Sequence, residues 1–333
     1  MSIPKPALAQ PNEFVILGSG VSTSVPKINC IIRPSDEGVC QVCRHAFENP
    51  FSKERRNNVC ALVRHSGKTV LIDCGKTMRD STMRQFPKLG VRDVDAIVLT
   101  HGHADAVLGL DDARDLQRGP TRHMENGRAV WRGPAPTPVY LNEETMEVCR
   151  RVFPYLMPRS EATKNGQHIK KDIPRRVASL DWKVFGESHY LKPFYPIKGA
   201  GIQLTPIKMW HGGDYVCMGY LIRMEESPGT KEKVIAYLSD LHALPDESMR
   251  FLKRQPRIDL LVVDLLANGQ NASHLNREEA VNLVRELRPL EAVAVGMTCS
   301  VGFHEVVNGE LAILEKTEGI RFRLAYDGER FPC

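Results

Sequence analysis

No apolar run in this 333-residue chain approaches the roughly 18 residues that a bilayer span requires. Its first twelve residues hold a small-residue stretch, Ala7-Leu8-Ala9, but neither a basic leader nor an apolar block, so no secretory signal is expected there. Internal repeats and low-complexity segments are missing too. Charge of one sign is scarce: 45 Lys and Arg face 40 Asp and Glu, and a net +5 spread over this length does not by itself indicate nucleic acid. A long basic arm and an aromatic-interleaved platform are both wanting, which argues against a nucleic-acid partner. Nine cysteines, an odd number without a visible signal, point to a reducing compartment. The expected location is therefore the cytoplasm, with no membrane partner.

What is present is a globular composition, 42% hydrophobic and 26% charged, in a chain long enough to bury a full core without staples. Short apolar runs bounded by turn residues predict strands at 14–17, 60–63, 69–72, 96–99, 202–207, 218–222, 234–238, 260–263 and 292–295. Helical patterns lie between them at 77–88, 105–116, 143–153, 246–254, 276–287 and 306–316, with Asn142, Pro245-Asp246 and Asn276 as opening residues. The later alternation of strand and helix reads as α/β. Between about Gly119 and Gly199 the periodicity loosens. Within that stretch, residues 150–176 carry eight basic side chains against Glu161 and Asp172, as a functional insertion or a solvated loop would.

The sharpest chemical feature is Leu99-Thr100-His101-Gly102-His103-Ala104-Asp105. An apolar strand stops, two histidines follow at alternate positions, and a carboxylate opens a helix. Imidazole and carboxylate suit a borderline divalent ion such as zinc or manganese, and a strand end fixes their backbones while the side chains face a pocket. Cys30 with Cys40-Gln41-Val42-Cys43 makes three quarters of a structural zinc site. A redox role would call for a βαβ context, whereas the stretch from Arg44 to Asn58 is polar and charged. Gly18-Ser19-Gly20 fails the dinucleotide fingerprint because position 23 is Thr.

His101-Gly102-His103-Ala104-Asp105, followed by Gly109-Leu110-Asp111-Asp112, resembles the metal-binding motif of the metallo-β-lactamase superfamily. The companions stand in the family's order: Leu71-Ile72-Asp73-Cys74-Gly75, His211 in Trp210-His211-Gly212-Gly213, and Asp240 after Leu238-Ser239. Within the superfamily, Leu17-Gly18-Ser19-Gly20, the Cys30/Cys40/Cys43 set, His103-Ala104-Asp105-Ala106 and Ser273-His274 are similar to the cyclic phosphodiesterases of the carbon–phosphorus lyase pathway and their eukaryotic relatives.

The resemblance implies an αββα sandwich, two mixed β-sheets flanked by helices, over a single domain at 13–333 with a tail at 1–12 and a basic insertion at about 119–199. It implies one ion at His101, His103, His211 and Asp240, supported from behind by Asp73. A second ion would be held by Asp105, Asp240 and Cys299, the last standing where relatives carry histidine. Zinc or manganese would serve in the active site, and one structural zinc would take His304 as the fourth ligand beside Cys30, Cys40 and Cys43. Asp105 and His274 are the expected catalytic groups, Asp105 positioning or deprotonating water and His274 donating a proton or contacting phosphate.

The function implied is a metal-dependent phosphodiesterase acting on a small anionic phosphodiester, cyclic ones included. Two rivals use the same scaffold: a thioesterase of glyoxalase II type, and a catalytically weakened binding protein, which Ala106 and Cys299 would favour. The oligomeric state is left open.

Overall fold

The computed structural model describes residues 11–33, 39–118, 121–125, 128–132, 135–158, 177–226 and 231–333. Most of the tail at 1–12 and residues 159–176 of the basic stretch lie outside the described residues. In the N-terminal half the strands are β1 (Glu13–Gly18), β2 (Cys60–His65), β3 (Lys68–Ile72), β4 (Ala96–Val98), β5 (Thr121–Glu125), β6 (Arg128–Arg132), β7 (Thr137–Asn142) and β8 (Leu180–Phe185). The C-terminal half supplies β9 (Ile202–Trp210), β10 (Val216–Met224), β11 (Lys233–Leu238), β12 (Leu260–Asp264), β13 (Glu291–Val295), β14 (Phe322–Leu324) and β15 (Glu329–Pro332).

One sheet has the order β15-β1-β2-β3-β4-β7-β8, the other β14-β13-β12-β11-β10-β9, and β5 pairs with β6 as a separate ribbon. Both large sheets are mixed. β1, β2 and β3 pair antiparallel, while β3, β4, β7 and β8 run parallel. Likewise β9, β10 and β11 are antiparallel and β11 to β14 parallel.

Strand periodicity explains why the sheets stack. Successive side chains alternate faces, so a strand apolar at every position is covered on both sides. Phe14 and Ile16 of β1 join Leu260 and Val262 of β12 in a core between the sheets. Val15 and Leu17 instead face outward, with Met78 and Phe86. Leu261 and Val263 face outward on the other side, with Val284 and Leu311.

The outer layers are helical: α1 (Ile28–Ile32), α2 (Gln41–Glu48), α3 (Met78–Leu89), α4 (Ala104–Val107), α5 (Glu143–Val152), α6 (Asp246–Lys253), α7 (Arg277–Leu287) and α8 (His304–Glu318). The fold is an αββα sandwich, as the resemblance implied. Among the described residues, no helix is long and apolar enough to cross a membrane.

The expected caps act where they stand. Asn142 accepts the Thr145 N–H at the start of α5, and Asn276 forms a reciprocal capping box with Glu279 at the start of α7. The helix expected over 105–116 is instead α4 followed by a 3₁₀ segment, Leu108–Leu116. There the Gly109 N–H leaves the helical ladder for the Cys74 carbonyl at 2.6 Å, which ties the segment to the end of β3. Within the loosely patterned insertion, β7 and β8 extend the first sheet by parallel pairing.

Candidate metal centre and thiol cluster

The loops that follow β3, β4, β9, β11 and β12 gather at one end of the sandwich and supply the residues of the metal site, while the loop after β13 turns away to the thiols. Asp73 directly follows β3 and Asp240 comes two residues after β11, and both adopt left-handed backbone conformations (φ 63° and 52°). A short carboxylate side chain tolerates that region better than a bulky or β-branched one. Gly75 is required by contact. A Cβ there would lie 1.7 Å from the Asp105 carbonyl oxygen, so only glycine lets the β3 loop rest against the motif.

His101 is 1% exposed and carries a relay behind it. Its Nδ1 lies 2.9 Å from Thr100 Oγ1, which lies 2.9 Å from Asp73 Oδ2, and Asp73 also accepts the Thr100 N–H at 2.8 Å. The buried carboxylate takes the threonine proton, so His101 Nδ1 donates to the threonine oxygen. Its Nε2 is left as a bare lone pair, buried with no protein partner. Burial pushes the His101 imidazole down to about 3, with Asp105 opposing the shift.

His211 is fixed in the same way. Its Nδ1 donates to the Ser273 carbonyl at 3.0 Å, which leaves Nε2 unprotonated at 3.2 Å from His103 Nδ1. Two nitrogens about 2.0–2.1 Å from one tetrahedral ion lie about 3.4 Å apart. The ligand atoms of His101, His103 and His211 all lie within 4.8 Å of one another, and Asp240 joins His101 and Asp105 within the same span. An orphaned buried lone pair among converging imidazoles and a carboxylate fits a divalent cation.

Asp240 also groups with His211 and His274. His274 Nδ1 donates to Asp264 Oδ1 at 3.0 Å, and Asp264 is wholly buried at the end of β12, where it also accepts the Leu275 N–H. Burial lowers the His274 imidazole, but the Asp264 hydrogen bond and charge outweigh it and raise it to about 9. The wholly buried Asp264 carboxyl is itself pushed up by burial, so the pair holds a proton on or beside His274.

The sequence reading missed Asp264 and Tyr215. Asp264 carries the same signal as Asp73 and Asp240, a carboxylate closing an apolar strand. Tyr215 stacks on His103 at 4.7 Å and 15°, and its hydroxyl accepts the Gly102 N–H at 3.2 Å. Nothing in its local sequence marks it.

Two assignments are corrected. Cys299 does not reach the metal centre; its sulfur groups with those of Cys30, Cys40 and Cys43, all within 4.8 Å. The cause is the path of the chain after β13: Met297 pairs with Ser19 and Val21, and the buried Arg56 guanidinium donates to the Thr298 and Gly302 carbonyls. The turn therefore hands Cys299 to the N-terminal thiols. Four sulfurs about 2.3 Å from one zinc sit about 3.8 Å apart, so the set suits a closed tetrahedral site. A hydrogen bond from Cys43 holds the Cys299 thiol down at about 5 despite burial, while that bond and burial push Cys43 up.

His304 is no ligand to this cluster. Its Nδ1 faces Glu54 Oε2 at 2.9 Å and its Nε2 faces the Ala325 carbonyl at 2.8 Å, so both ring nitrogens are spent as donors. With Ala106 buried in the core, Asp105 groups among the described residues only with His101 and Asp240. The second ion expected at Asp105, Asp240 and Cys299 has thus lost its third ligand.

Glu54 completes this network by accepting from the His304 backbone, the His304 ring and Arg56 at 2.8–2.9 Å. Burial raises its carboxyl, but the His304 hydrogen bonds and charge prevail and hold it at about 2 against an ordinary 4.5. A depressed carboxylate stabilises the fold above its unfolded value and loses that contribution as pH falls from about 4.5 through 2. Glu54→Gln is expected to cost about 3 kcal/mol at neutral pH. In urea titrations across pH, the gap between wild type and variant should close below pH 4.5. A gap independent of pH would remove the ion pair from the account.

Residues 68–297 match the family model described as beta-lactamase superfamily domain. The chain belongs to this superfamily, whose members are predominantly metal-dependent hydrolases. Over 291 residues it is 24% identical to an octanoyltransferase of Porphyromonas gingivalis, covering 87% of this chain and 47% of that protein. The chain thus spans about half the length of that relative. A 57-residue stretch is 46% identical to ribonuclease Z of Bradyrhizobium diazoefficiens, 16% of this chain and 18% of that one. Among solved structures, a new diphosphatase from the PhnP family superposes with a TM-score of 0.66 at 26% identity, over 97% of this chain and 98% of that one.

Proposed function

We propose that this chain is a metal-dependent phosphodiesterase working with one divalent ion at His101, His103, His211 and Asp240. The carrying observation is the arrangement around Asp240: it groups on one side with His101 and Asp105, and on the other with His211 and His274. A centre flanked by a free carboxylate and an imidazole backed by a buried carboxylate suits hydrolysis in which one group takes a proton and the other gives one. When bound, the cation supplies positive charge against developing oxyanions and makes water more acidic.

The remaining steps belong to the protein. Asp105 orients the attacking water and accepts its proton. His274, held by Asp264, donates from Nε2 to the departing alkoxide oxygen. Thr100 and Asp73 keep His101 in the tautomer that turns Nε2 inward, and Tyr215 holds the solvent-exposed His103 ring by stacking. The kinship with a PhnP-family diphosphatase and the short ribonuclease Z match favour phosphorus esters over thioesters. The weakened-binder reading loses one of its two supports, since Cys299 belongs to the thiol cluster and Ala106 alone remains.

The test is a panel of bis(p-nitrophenyl) phosphate, a 2′,3′-cyclic nucleotide, a glutathione thioester and a β-lactam, assayed with zinc and with manganese. Turnover of a phosphodiester is expected, and His274→Gln should lower kcat about 10²–10⁴-fold with KM nearly unchanged. The loss should be smaller for a substrate whose leaving group needs no proton. Turnover of the thioester alone, or equal loss on every leaving group, overturns the reading.

A further inference from the structure

On the outer flank of the first sheet, away from the metal centre, the C-terminal half of α3 meets the loop 50–57 and the turn 326–328. They enclose a cavity of about 280 Å³ lined by Phe51, Arg55, Arg84, Lys88, Tyr326 and Asp327, among others. At 1.5 Å per residue, Lys88 lies about 15 Å along α3 from its start beside the Gly75 loop, so this cavity is separate from the site above.

Three features set it apart from an ordinary surface dent. Phe51 is 86% exposed, the most exposed large hydrophobic side chain among the described residues. Cations cluster around the aromatic rings: the Arg84 guanidinium lies 5.6 Å and the Lys88 ammonium 5.9 Å from the Phe51 ring centre, and the Lys53 ammonium 4.4 Å from that of Tyr326. Finally, Ser52 Oγ and Arg55 Nε, from two residues that line the cavity, are buried polar atoms with no partner.

The charge balance leaves the cavity in want of an anion. The one carboxylate in its lining, Asp327, and the neighbouring Asp80 are both committed inside the protein. Asp80 is engaged by Arg84 at 2.9 Å, by Asn57 at 3.0 Å and more loosely by Arg55 at 3.8 Å. Asp327 accepts the Ser19 N–H and hydroxyl and the Asn57 N–H, each at 2.8 Å. Against these two stand Lys53, Arg55, Arg84 and Lys88, and neither Lys53 nor Lys88 has a carboxylate partner among the described residues. Buried donors and unmatched cations call for phosphate oxygens, and an exposed ring edged by cations calls for a flat π-system. At about 280 Å³, the volume sits at the small end of ligand pockets, which suits one monomer unit.

We propose that this cavity binds a nucleoside monophosphate, with the phosphate on Arg55, Lys88 and the Ser52 hydroxyl and the base stacked on Phe51. The assignment is independent of the hydrolytic reading, since none of these residues belongs to the metal centre.

The experiment is isothermal titration of the full-length protein with AMP, adenosine and inorganic phosphate, on wild type, Phe51→Ala, Lys88→Ala and His103→Ala. The Phe51 side chain is almost wholly exposed, so its removal leaves the fold intact and keeps the test decisive. AMP should bind more tightly than either fragment and weaken as salt rises. Phe51→Ala and Lys88→Ala should each weaken AMP about tenfold, and His103→Ala should leave its affinity unchanged. Phosphate binding as tightly as AMP would overturn the stacking contact, and adenosine doing so would overturn the phosphate contact. Binding lost in His103→Ala but unmoved by Phe51→Ala and Lys88→Ala, or no AMP binding at all, overturns the site.

Discussion

His101→Ala should abolish hydrolysis, lowering kcat/KM by about 10³-fold or more, while the protein still melts cooperatively close to the wild-type temperature. The magnitude follows from what the side chain does: it presents a buried lone pair to the ion, held in one tautomer by Thr100 and Asp73, and preorganised groups of that kind are worth about 10²–10³ each even when they only donate a hydrogen bond. Elemental analysis separates loss of the ion from loss of the fold. The variant should lose one equivalent of active-site metal and keep the equivalent held by the thiols, because the two ligand sets share no residue. Full activity in His101→Ala, or loss of both equivalents together, would show that the two sites are wrongly divided.

Cys43→Ser and Cys299→Ser should behave alike, and that likeness is the point. Cys43 is fully buried beside Val25, Val42 and Ala46, with Cys299 in the same small cluster, so the sulfurs join α2 to the turn after β13. A zinc there closes a loop of more than 250 residues, and structural zinc commonly carries a large share of the stability of the segment it ties. Each variant is expected to lose the tightly held zinc and about 4 kcal/mol of stability, a fall in melting temperature of roughly 5–10 °C for a chain of this size. Chelation of the wild type should reproduce the fall. If Cys299 instead served the metal centre, Cys299→Ser would deplete the active-site ion and spare the melting temperature. Unchanged zinc content and unchanged melting in both variants would reduce the four thiols to packing. Cys299→His, for the same reason, should not raise the occupancy of a second active-site ion.

Much of the architecture was legible from residue order. Strands such as 14–17 and 260–263 are apolar at every position, and a segment that must be covered on both faces announces itself without help from the rest of the chain. The caps at Asn142 and Asn276 are equally local, since a side-chain oxygen and an N–H three residues on decide them. His101, His103 and Asp105 lie within five residues at a strand end, so their convergence needs only that one turn.

What only the tertiary structure decided concerns residues far apart in the chain. Cys299 and His304 both follow β13, either could have completed the thiols of the N-terminal segment, and the spacing does not choose between them. The choice rests on Arg56, which clamps the turn 298–302 so that the Cys299 sulfur faces Cys43, and on Glu54 and the Ala325 carbonyl, which consume both nitrogens of His304. Asp264 and Tyr215 escaped for a related reason. Tyr215 acts on the histidine at 103, brought near by folding, and a contact made across loops leaves no period in the sequence; Asp264 carries the strand-end signal, but only the path of the loop after β12 turns His274 back onto it. Local patterns are written by backbone geometry repeating over a few residues, whereas a metal centre is completed by where strands happen to end against one another. The order of residues therefore determined the strands, the helices and the core of the motif, with the sandwich itself legible only through the motif's resemblance to a known family, and the packing of the loops decided which thiol, which imidazole and which carboxylate serve each site.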